Sequence, residues 1–160
     1  MGFCVFLEKE SFKFSGTHFT IFSAERAERL HGHNYHVRAE FEVTKISPEL
    51  GMAFDFNLVK PLIQQLCAQL DEHILLAIRS PFLKIEKSEG QTQVRFADRT
   101  YIFPATDVCE LPIANVTSEE LARWLTAELA QAMPKNLGIS AIRLSVEETR
   151  GQGVSFTLNL

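Results

Sequence analysis

Hydrophobic and polar residues alternate along both ends of the chain, with the two-residue period of half-buried β-strands. At the N-terminal end, residues 3–22 are rich in Phe and β-branched residues, and residues 31–44 alternate again after a polar connection. We expect these two segments to pair as an antiparallel hairpin. Near the C-terminal end, residues 142–147 and 154–160 alternate on either side of a Gly-Gln-Gly turn, which predicts a second strand pair.

Between these strands, two segments carry the period of an amphipathic helix. Residues 57–70 place Leu and Ile at i, i+4 spacing, and a second helix is predicted to begin at Thr117, which forms a capping box with Glu120, and to end at Pro134. Residues 94–103 predict a small hairpin between the helices. The order strand, strand, helix, hairpin, helix, strand, strand favours an α+β fold with an antiparallel sheet over a doubly wound parallel one.

The size and charge of the chain limit the classes of function. Its 160 residues suit one domain, residues 1–160, and the net charge of −4 argues against a nucleic-acid or membrane partner. The apolar start lacks the features of a signal peptide, so a cytoplasmic location is expected. Cys4, Cys67 and Cys109 are too few and too far apart for a disulfide framework, and we expect Cys4 and Cys67 in the core.

His31 and His33 are the first candidates for chemistry. Residues two apart on a strand point to the same face, so both imidazoles face one side, whereas His36 has the opposite parity. Strand pairing could bring His18 opposite this pair, and three histidines would leave a zinc ion one open coordination position. An isolated His-x-His pair is weak evidence, and on spacing alone it could be incidental.

Several carboxylates are further candidates. By parity Glu148 continues an apolar strand face, so it either turns to solvent at a bulge or anchors a ligand that offers adjacent N–H groups. Glu25, Arg26, Glu28 and Arg29 lie between the two histidine strands, where a charged loop is either solvated or contributes one group to the site. The segment Asp71-Glu72-His73 follows the first helix and is either a solvated helix end or a second titratable cluster.

These residues together resemble the 6-pyruvoyl-tetrahydropterin synthase and 6-carboxy-tetrahydropterin synthase family. Five segments in the same order carry the resemblance, which extends over nearly the whole chain. They are Phe-Ser-Gly-Thr-His ending at His18, Leu-His-Gly-His-Asn-Tyr from Leu30, Leu-Asp-Glu-His from Leu70, Asn-Val-Thr-Ser-Glu-Glu-Leu-Ala from Asn115, and Val-Glu-Glu-Thr from Val146.

The resemblance implies the T-fold, or tunnelling fold, in which an antiparallel sheet carries two helices on one face. It implies a zinc ion held by His18, His31 and His33. It implies that Glu148 anchors a pterin ring, with help from Thr117 and Glu119. It also implies a homo-oligomer, commonly a hexamer of two trimers, with active sites between subunits.

The sequence departs from the family pattern where a cysteine usually precedes the first His of His-Gly-His. Ala27 stands four residues before His31, and Glu28 matches a branch of the family in which glutamate replaces the cysteine. That branch resembles enzymes that cut the side chain of dihydroneopterin, or of its triphosphate, to give 6-hydroxymethyl-7,8-dihydropterin. We therefore expect Glu28 to be the catalytic base of a zinc-dependent lyase.

Two other departures concern the proton donor and the length of the chain. The family usually has Asp followed directly by His, so either Glu72 or His73 fills the histidine position. We favour His73, oriented by Asp71, because the pKa of an imidazole suits proton transfer near neutral pH. The stretch from about 79 to 112 is longer than in compact members and predicts an extra hairpin.

Two alternative functions follow from the same departures. In one, the chain makes a 6-carboxy- or 6-pyruvoyl-tetrahydropterin from dihydroneopterin triphosphate, with Glu28 in the role of the cysteine. In the other, the chain binds a pterin or purine and has lost catalysis together with the cysteine. The identity of the product separates these alternatives.

Overall fold

The computed structural model describes residues 2–160, which form a six-stranded sheet, a separate three-stranded sheet and two α-helices. The helices are α1 (Lys60–Leu70) and α2 (Ser118–Ala132). The strands are β1 (Phe3–His18), β2 (His31–Val43), β3 (His73–Ala77), β4 (Lys84–Ser88), β5 (Gln91–Phe96), β6 (Arg99–Pro104), β7 (Val108–Leu111), β8 (Ile139–Thr149) and β9 (Gln152–Asn159). The α+β architecture is therefore as expected.

The six-stranded sheet has the order β7-β3-β1-β2-β8-β9. The two predicted hairpins, β1/β2 and β8/β9, form as antiparallel pairs, and β2 pairs antiparallel with β8. The expectation of a wholly antiparallel sheet is wrong at one edge, where β3 runs parallel to both β1 and β7. Parallel neighbours need connections of a dozen or more residues, which the helix α1 and the long stretch between β3 and β7 provide.

Both helices lie on one face of this sheet and bury the main core. Helix α1 packs against β1, α2 packs against β8 and β9, and the helices contact each other. The N-cap of α2 forms as predicted, because the Thr117 side chain accepts a hydrogen bond from the Glu120 backbone N–H. The other half of the predicted capping box does not form within residues 2–160, since the Glu120 carboxylate accepts from the Ala114 N–H and pairs with Arg123 instead. Within residues 2–160, no helix is both long enough and apolar enough to cross a membrane.

An irregular stretch in β1 reverses which side chains face the core. The pairing of β1 with β2 shifts register between Glu8 and Lys13, so Leu7 is buried before the shift and Phe12 after it. Cys4 belongs to the outward-facing set before the shift and is exposed, which makes the expectation that it lies in the core wrong. The expectation for Cys67 is confirmed, since it is buried in α1.

The three-stranded sheet lies within the long stretch between β3 and β7. The hairpin predicted over residues 94–103 forms from β5 and β6, and β4 adds a third strand to it. A small apolar cluster joins this sheet to the segment after β1, through Phe19 and Ile21 on one side and Phe96 on the other. The three-stranded sheet therefore packs against the connection between β1 and β2, the strands that carry the histidines.

Candidate metal centre and adjoining cleft

Three histidines meet at one end of the β1/β2 hairpin. The strand register pairs His18 directly with His31 and pairs Gly16 with His33, so all three imidazoles project from the same face of the sheet. One nitrogen from each ring lies within 4.8 Å of the others. His36 is exposed and has the opposite parity, as the alternation predicted. The expected constellation of three histidines is therefore present as a structural feature.

Backbone carbonyl groups fix the orientation of two of these rings. The Nδ1 atom of His18 lies 2.9 Å from the carbonyl oxygen of Val116, and that of His31 lies 2.8 Å from the carbonyl oxygen of Arg29. A ring that donates from Nδ1 leaves the lone pair of its Nε2 for a metal. The Nε2 atoms of His31 and His33 are only 2.9 Å apart, so both rings point toward a shared centre.

The burial of His18 suits a metal ligand. Its side chain is 1% exposed, and within residues 2–160 its Nε2 atom has no hydrogen-bond partner. Burial lowers the pKa of His18 below its ordinary value, and the positive charges that His31 and His33 can carry add to this effect, against the Val116 carbonyl and the Glu148 carboxylate. A neutral imidazole with a buried, unpartnered nitrogen fits a divalent metal with nitrogen ligands.

Glu28 lies beside this centre. Its Oε2 atom is 3.9 Å from Nε2 of His31 and accepts a hydrogen bond of 3.1 Å from the backbone N–H of Thr20. Partial burial raises the pKa of Glu28, but the hydrogen bonds from Thr20 and the nearby histidines outweigh it, so the net pKa lies below the ordinary value. The carboxylate is ionised at neutral pH and can accept a proton.

The connection between β1 and β2, residues 19–30, carries Glu28 and is called the Glu28 segment. It is held by contacts that the sequence does not reveal. Asn115 accepts a hydrogen bond from the backbone N–H of Ile21 and donates one to its carbonyl oxygen. Arg99 donates to the carbonyl oxygens of Ala27 and Glu28. Asn115 belongs to a motif quoted from the sequence, whereas no pattern in the sequence indicates the role of Arg99.

The other three charged residues of this segment are not part of the centre. Glu25, Arg26 and Arg29 have exposed side chains, and within residues 2–160 none of them makes a hydrogen bond or ion pair with the histidines through its side chain. Only the backbone carbonyl of Arg29 takes part, by accepting from His31. Of the four charged candidates, Glu28 is therefore the one whose side chain reaches the site.

A cleft of about 390 Å³ brings the predicted ligand-binding residues together, and it is linked to the centre through Thr20, which lines it and bonds Glu28. Thr117, Glu119 and Glu148 line it, together with Thr20 and Gly153. The pairing of β8 with β9 shifts register between Glu147 and Thr149, which is the bulge that one interpretation of Glu148 required. Glu148 is nevertheless half-buried in the cleft rather than turned fully to solvent. A carboxylate at this position can accept two hydrogen bonds from neighbouring N–H groups on one edge of a bound ligand.

Gly153 permits this bulge. A Cβ atom at that position would overlap the carbonyl oxygen of Val146 and the backbone of Glu147 on the neighbouring strand. Only glycine allows the two backbones to approach so closely. The position of Glu148 at the cleft therefore depends on the absence of a side chain on β9.

The segment Asp71-Glu72-His73 forms a tight connection at the other side of β1. The Asp71 carboxylate accepts a hydrogen bond of 2.7 Å from the Ser15 backbone N–H, and Glu72 has a φ of 59°. The Nδ1 atom of His73 lies 2.6 Å from the carbonyl oxygen of Asp71, so the backbone rather than the carboxylate orients the ring. The register pairs His73 with Gly16, which places its Cα about 8 Å from that of His18.

Comparisons with known proteins agree with this fold. A family model described as 6-pyruvoyl tetrahydropterin synthase matches residues 7–159. A protein of Methanocaldococcus jannaschii, named as a candidate 6-carboxy-5,6,7,8-tetrahydropterin synthase, is 28% identical over 147 residues, which cover 90% of this chain and 88% of the relative.

Two solved structures match the whole chain. The 6-pyruvoyl tetrahydropterin synthase of Plasmodium falciparum has a TM-score of 0.93, 29% identity and 99% coverage of both chains. A variant of the Plasmodium vivax enzyme, in which a glutamate described as a catalytic residue is replaced by alanine, has a TM-score of 0.93 and 25% identity, with 100% of this chain and 99% of that chain covered. These matches confirm the predicted T-fold.

Proposed function

The chain belongs to the 6-pyruvoyl tetrahydropterin synthase family, and we propose that it is a zinc-dependent pterin lyase. In this proposal it cuts the side chain of 7,8-dihydroneopterin, or of its triphosphate, to give 6-hydroxymethyl-7,8-dihydropterin. A tetrahydropterin synthase type of activity follows from the family itself. The observation that carries the finer proposal is the Glu28 carboxylate, which lies 3.9 Å from His31, one residue after Ala27, where the family pattern has a cysteine.

In this proposal His18, His31 and His33 hold the zinc ion. The support is chemical, because the three rings converge and the buried Nε2 of His18 has no other partner within residues 2–160. A zinc ion with three histidine ligands supplies a Lewis acid that lowers the pKa of hydroxyl groups bound to it. The side-chain hydroxyls of the substrate would lie at this end of the cleft.

Glu28 then acts as the general base. Its pKa lies below the ordinary value, so it is ionised and takes the proton from the hydroxyl on the second carbon of the substrate side chain. The deprotonated oxygen forms a carbonyl group with the second side-chain carbon, and the bond between the first and second side-chain carbons breaks. The electron pair of that carbon–carbon bond passes into the ring C=N bond. The fragment leaves as a two-carbon aldehyde, which carries the triphosphate if the substrate does.

His73 is proposed to return a proton to the first side-chain carbon, which completes the hydroxymethyl product. The Asp71 carbonyl holds its Nδ1 atom, so Nε2 is the atom that exchanges the proton. One proton leaves the substrate and one returns, and no water or redox cofactor is consumed. The imidazole suits this role because it can hold or release a proton near neutral pH.

Glu148 is proposed to orient the pterin ring. A pterin offers an amino group and a ring N–H on one edge, and a carboxylate accepts two such donors side by side. Thr117 and Glu119 line the same cleft and would supply further polar contacts. Fixing the ring in this way places the side chain of the substrate toward Glu28 and the histidines.

A second candidate function is synthesis of a 6-carboxy-tetrahydropterin from dihydroneopterin triphosphate, with Glu28 in place of the cysteine. The names of the relatives favour it, because proteins of Methanocaldococcus jannaschii and Pyrococcus abyssi at 28% and 29% identity are both named as candidates for that activity. A 6-pyruvoyl product is the related possibility. A pterin-binding protein without catalysis is the third outcome.

We also propose that the working protein is a homo-oligomer, a hexamer of two trimers, with active sites between subunits. The two edge strands of the six-stranded sheet, β7 and β9, each have one paired side within residues 2–160. An open strand edge is a natural place for a second copy to add its own strand. Light scattering of the purified protein tests this, since a monomer would contradict it.

The test of the function is to incubate zinc-loaded protein with dihydroneopterin and with its triphosphate, and to separate the pterin products by chromatography. We expect 6-hydroxymethyl-7,8-dihydropterin from wild type and a loss of about 100-fold or more in Glu28→Gln. Glu25→Gln is the matched control, because Glu25 is exposed in the same segment.

A 6-carboxy or 6-pyruvoyl product supports the second candidate, and no product from any substrate supports binding alone. Full activity in Glu28→Gln would show that Glu28 is not the base.

A further inference from the structure

Arg99 makes an unusual contact for a residue of the three-stranded sheet. It is the first residue of β6, and its guanidinium group reaches out of that sheet to the segment that carries Glu28. One nitrogen donates to the carbonyl oxygen of Glu28 at 2.5 Å, and the other donates to the carbonyl oxygen of Ala27 at 2.9 Å. Arg99 is only half-buried, but its two hydrogen bonds go to consecutive carbonyl groups of the Glu28 segment.

The geometry of a guanidinium group explains why this contact is specific. Its N–H groups lie in one plane with fixed spacing, so they hold two neighbouring acceptors in one arrangement, which a lysine ammonium group cannot do. The side chain of Arg99 also lies over the ring of Phe96, 5.6 Å from the ring centroid, which limits its own movement. The donor is therefore itself anchored to the three-stranded sheet.

Apolar contacts hold the same segment against the same sheet. Phe19 stacks on Tyr101 with 5.4 Å between ring centroids, and Ile21 and Phe96 complete the buried cluster. On the other side, Asn115 holds the backbone of Ile21. The cluster and Asn115 thus fix the start of the Glu28 segment. At the base itself, the backbone of Thr20 bonds the Glu28 N–H and carboxylate, and Arg99 adds the bonds to the carbonyl oxygens of Ala27 and Glu28.

We propose that Arg99 is a positioning residue for the general base, and that the three-stranded sheet serves to carry it. The inference rests on the proposed function, in which Glu28 takes the proton. Arg99 bonds the backbone carbonyl of Glu28 and not its carboxylate, so it works together with Thr20 to fix where the carboxylate lies relative to His31 and the cleft. If the carboxylate of a catalytic base is displaced by about 1 Å from its productive position, the rate can fall about 100-fold.

The test compares Arg99→Met with Arg95→Met in the lyase assay. Methionine keeps much of the apolar stem and removes the donors. Arg95 is the matched control, because it is an exposed arginine of the same sheet that pairs with Glu86 and does not touch the Glu28 segment. We expect Arg99→Met to lower kcat about tenfold to 100-fold with KM within about twofold, and Arg95→Met to change neither by more than about twofold.

A double-mutant cycle shows whether Arg99 acts through Glu28. In a Glu28→Gln background the Arg99→Met change should cause no further loss of kcat, because the group it positions is already gone. An equal loss in both backgrounds would overturn the inference and leave the base assignment standing. If Glu28→Gln alone is fully active, the proposed function fails, and the inference fails with it.

Two further measurements separate positioning from a general loss of folding. Arg99→Lys keeps the charge but has a single donor nitrogen in place of the planar fork, and we expect an intermediate kcat. Limited trypsin digestion should cut Arg99→Met faster than wild type or Arg95→Met after Arg26 and Arg29, because these exposed residues lie in the released segment. Equal digestion of all three proteins, with circular dichroism showing that each is folded, would overturn the inference.

Discussion

The burial of His18 predicts that the metal-free protein loses stability as the pH falls. The side chain is 1% exposed, and burial is the largest cause that lowers its pKa below 6.5. The unfolded chain exposes the same imidazole to water, where it has an ordinary pKa. The two states therefore differ in how readily they accept a proton at this residue.

The sign and size of the effect follow from proton linkage. As the pH falls below about 6.5, His18 takes up a proton in the unfolded chain but not in the folded one, so each added proton favours unfolding. Every pKa unit that separates the two states contributes about 1.4 kcal/mol to the free energy of unfolding. This contribution is present above the unfolded pKa, declines through the window between the two pKa values, and levels off below the folded pKa.

The assay is urea unfolding of chelator-treated protein at a fixed concentration, over pH values from about 8 to about 5. Wild type should lose stability in the acid part of this range, and His18→Asn should show a flatter pH profile because its side chain does not titrate. His36→Asn is the control, since His36 is exposed on the opposite face of the sheet. An identical acid slope in wild type and His18→Asn would refute the reasoning.

Two other substitutions and one chemical modification test the description of the fold and the cleft. Gly153→Ala should weaken pterin binding and lower the melting temperature, because a Cβ would collide with the Val146 carbonyl, and unchanged values for both would be contrary to expectation. Thr117→Ala should cost about 1 kcal/mol of stability in urea unfolding through loss of the N-cap; no loss would show that the cap is dispensable. A thiol reagent should modify exposed Cys4 well before Cys67, whose pKa burial raises to about 12, and the reverse order would contradict the burial assignment.

The histidine centre could be predicted from the sequence because strand parity is a strict two-residue rule. The rule places His31 and His33 on one face and excludes His36, and a hairpin brings His18 opposite them. The cap of α2 is equally local, since Thr117 and Glu120 are three residues apart. The family resemblance supplied the T-fold, which the structural matches confirm.

Features that depend on distant contacts could not be predicted in this way. Cys4 is exposed on the outer face of β1, and because residues 3–7 are all apolar, no alternation in the sequence shows which face it takes. The strands β3 and β7 are short and lack alternation, so no pattern in the sequence predicts their parallel pairing. Arg99 bonds carbonyl groups about 70 residues earlier in the chain, and backbone acceptors leave no trace in the sequence.

The most direct test of the central claim is a crystal structure of the zinc-loaded Glu28→Gln variant with dihydroneopterin bound. We predict zinc on His18, His31 and His33, the amino edge of the pterin ring on Glu148, and the substrate side chain directed toward residue 28 and the metal. A pterin bound in another cavity, or with its side chain pointing away from the three histidines, would contradict the proposed site and its chemistry.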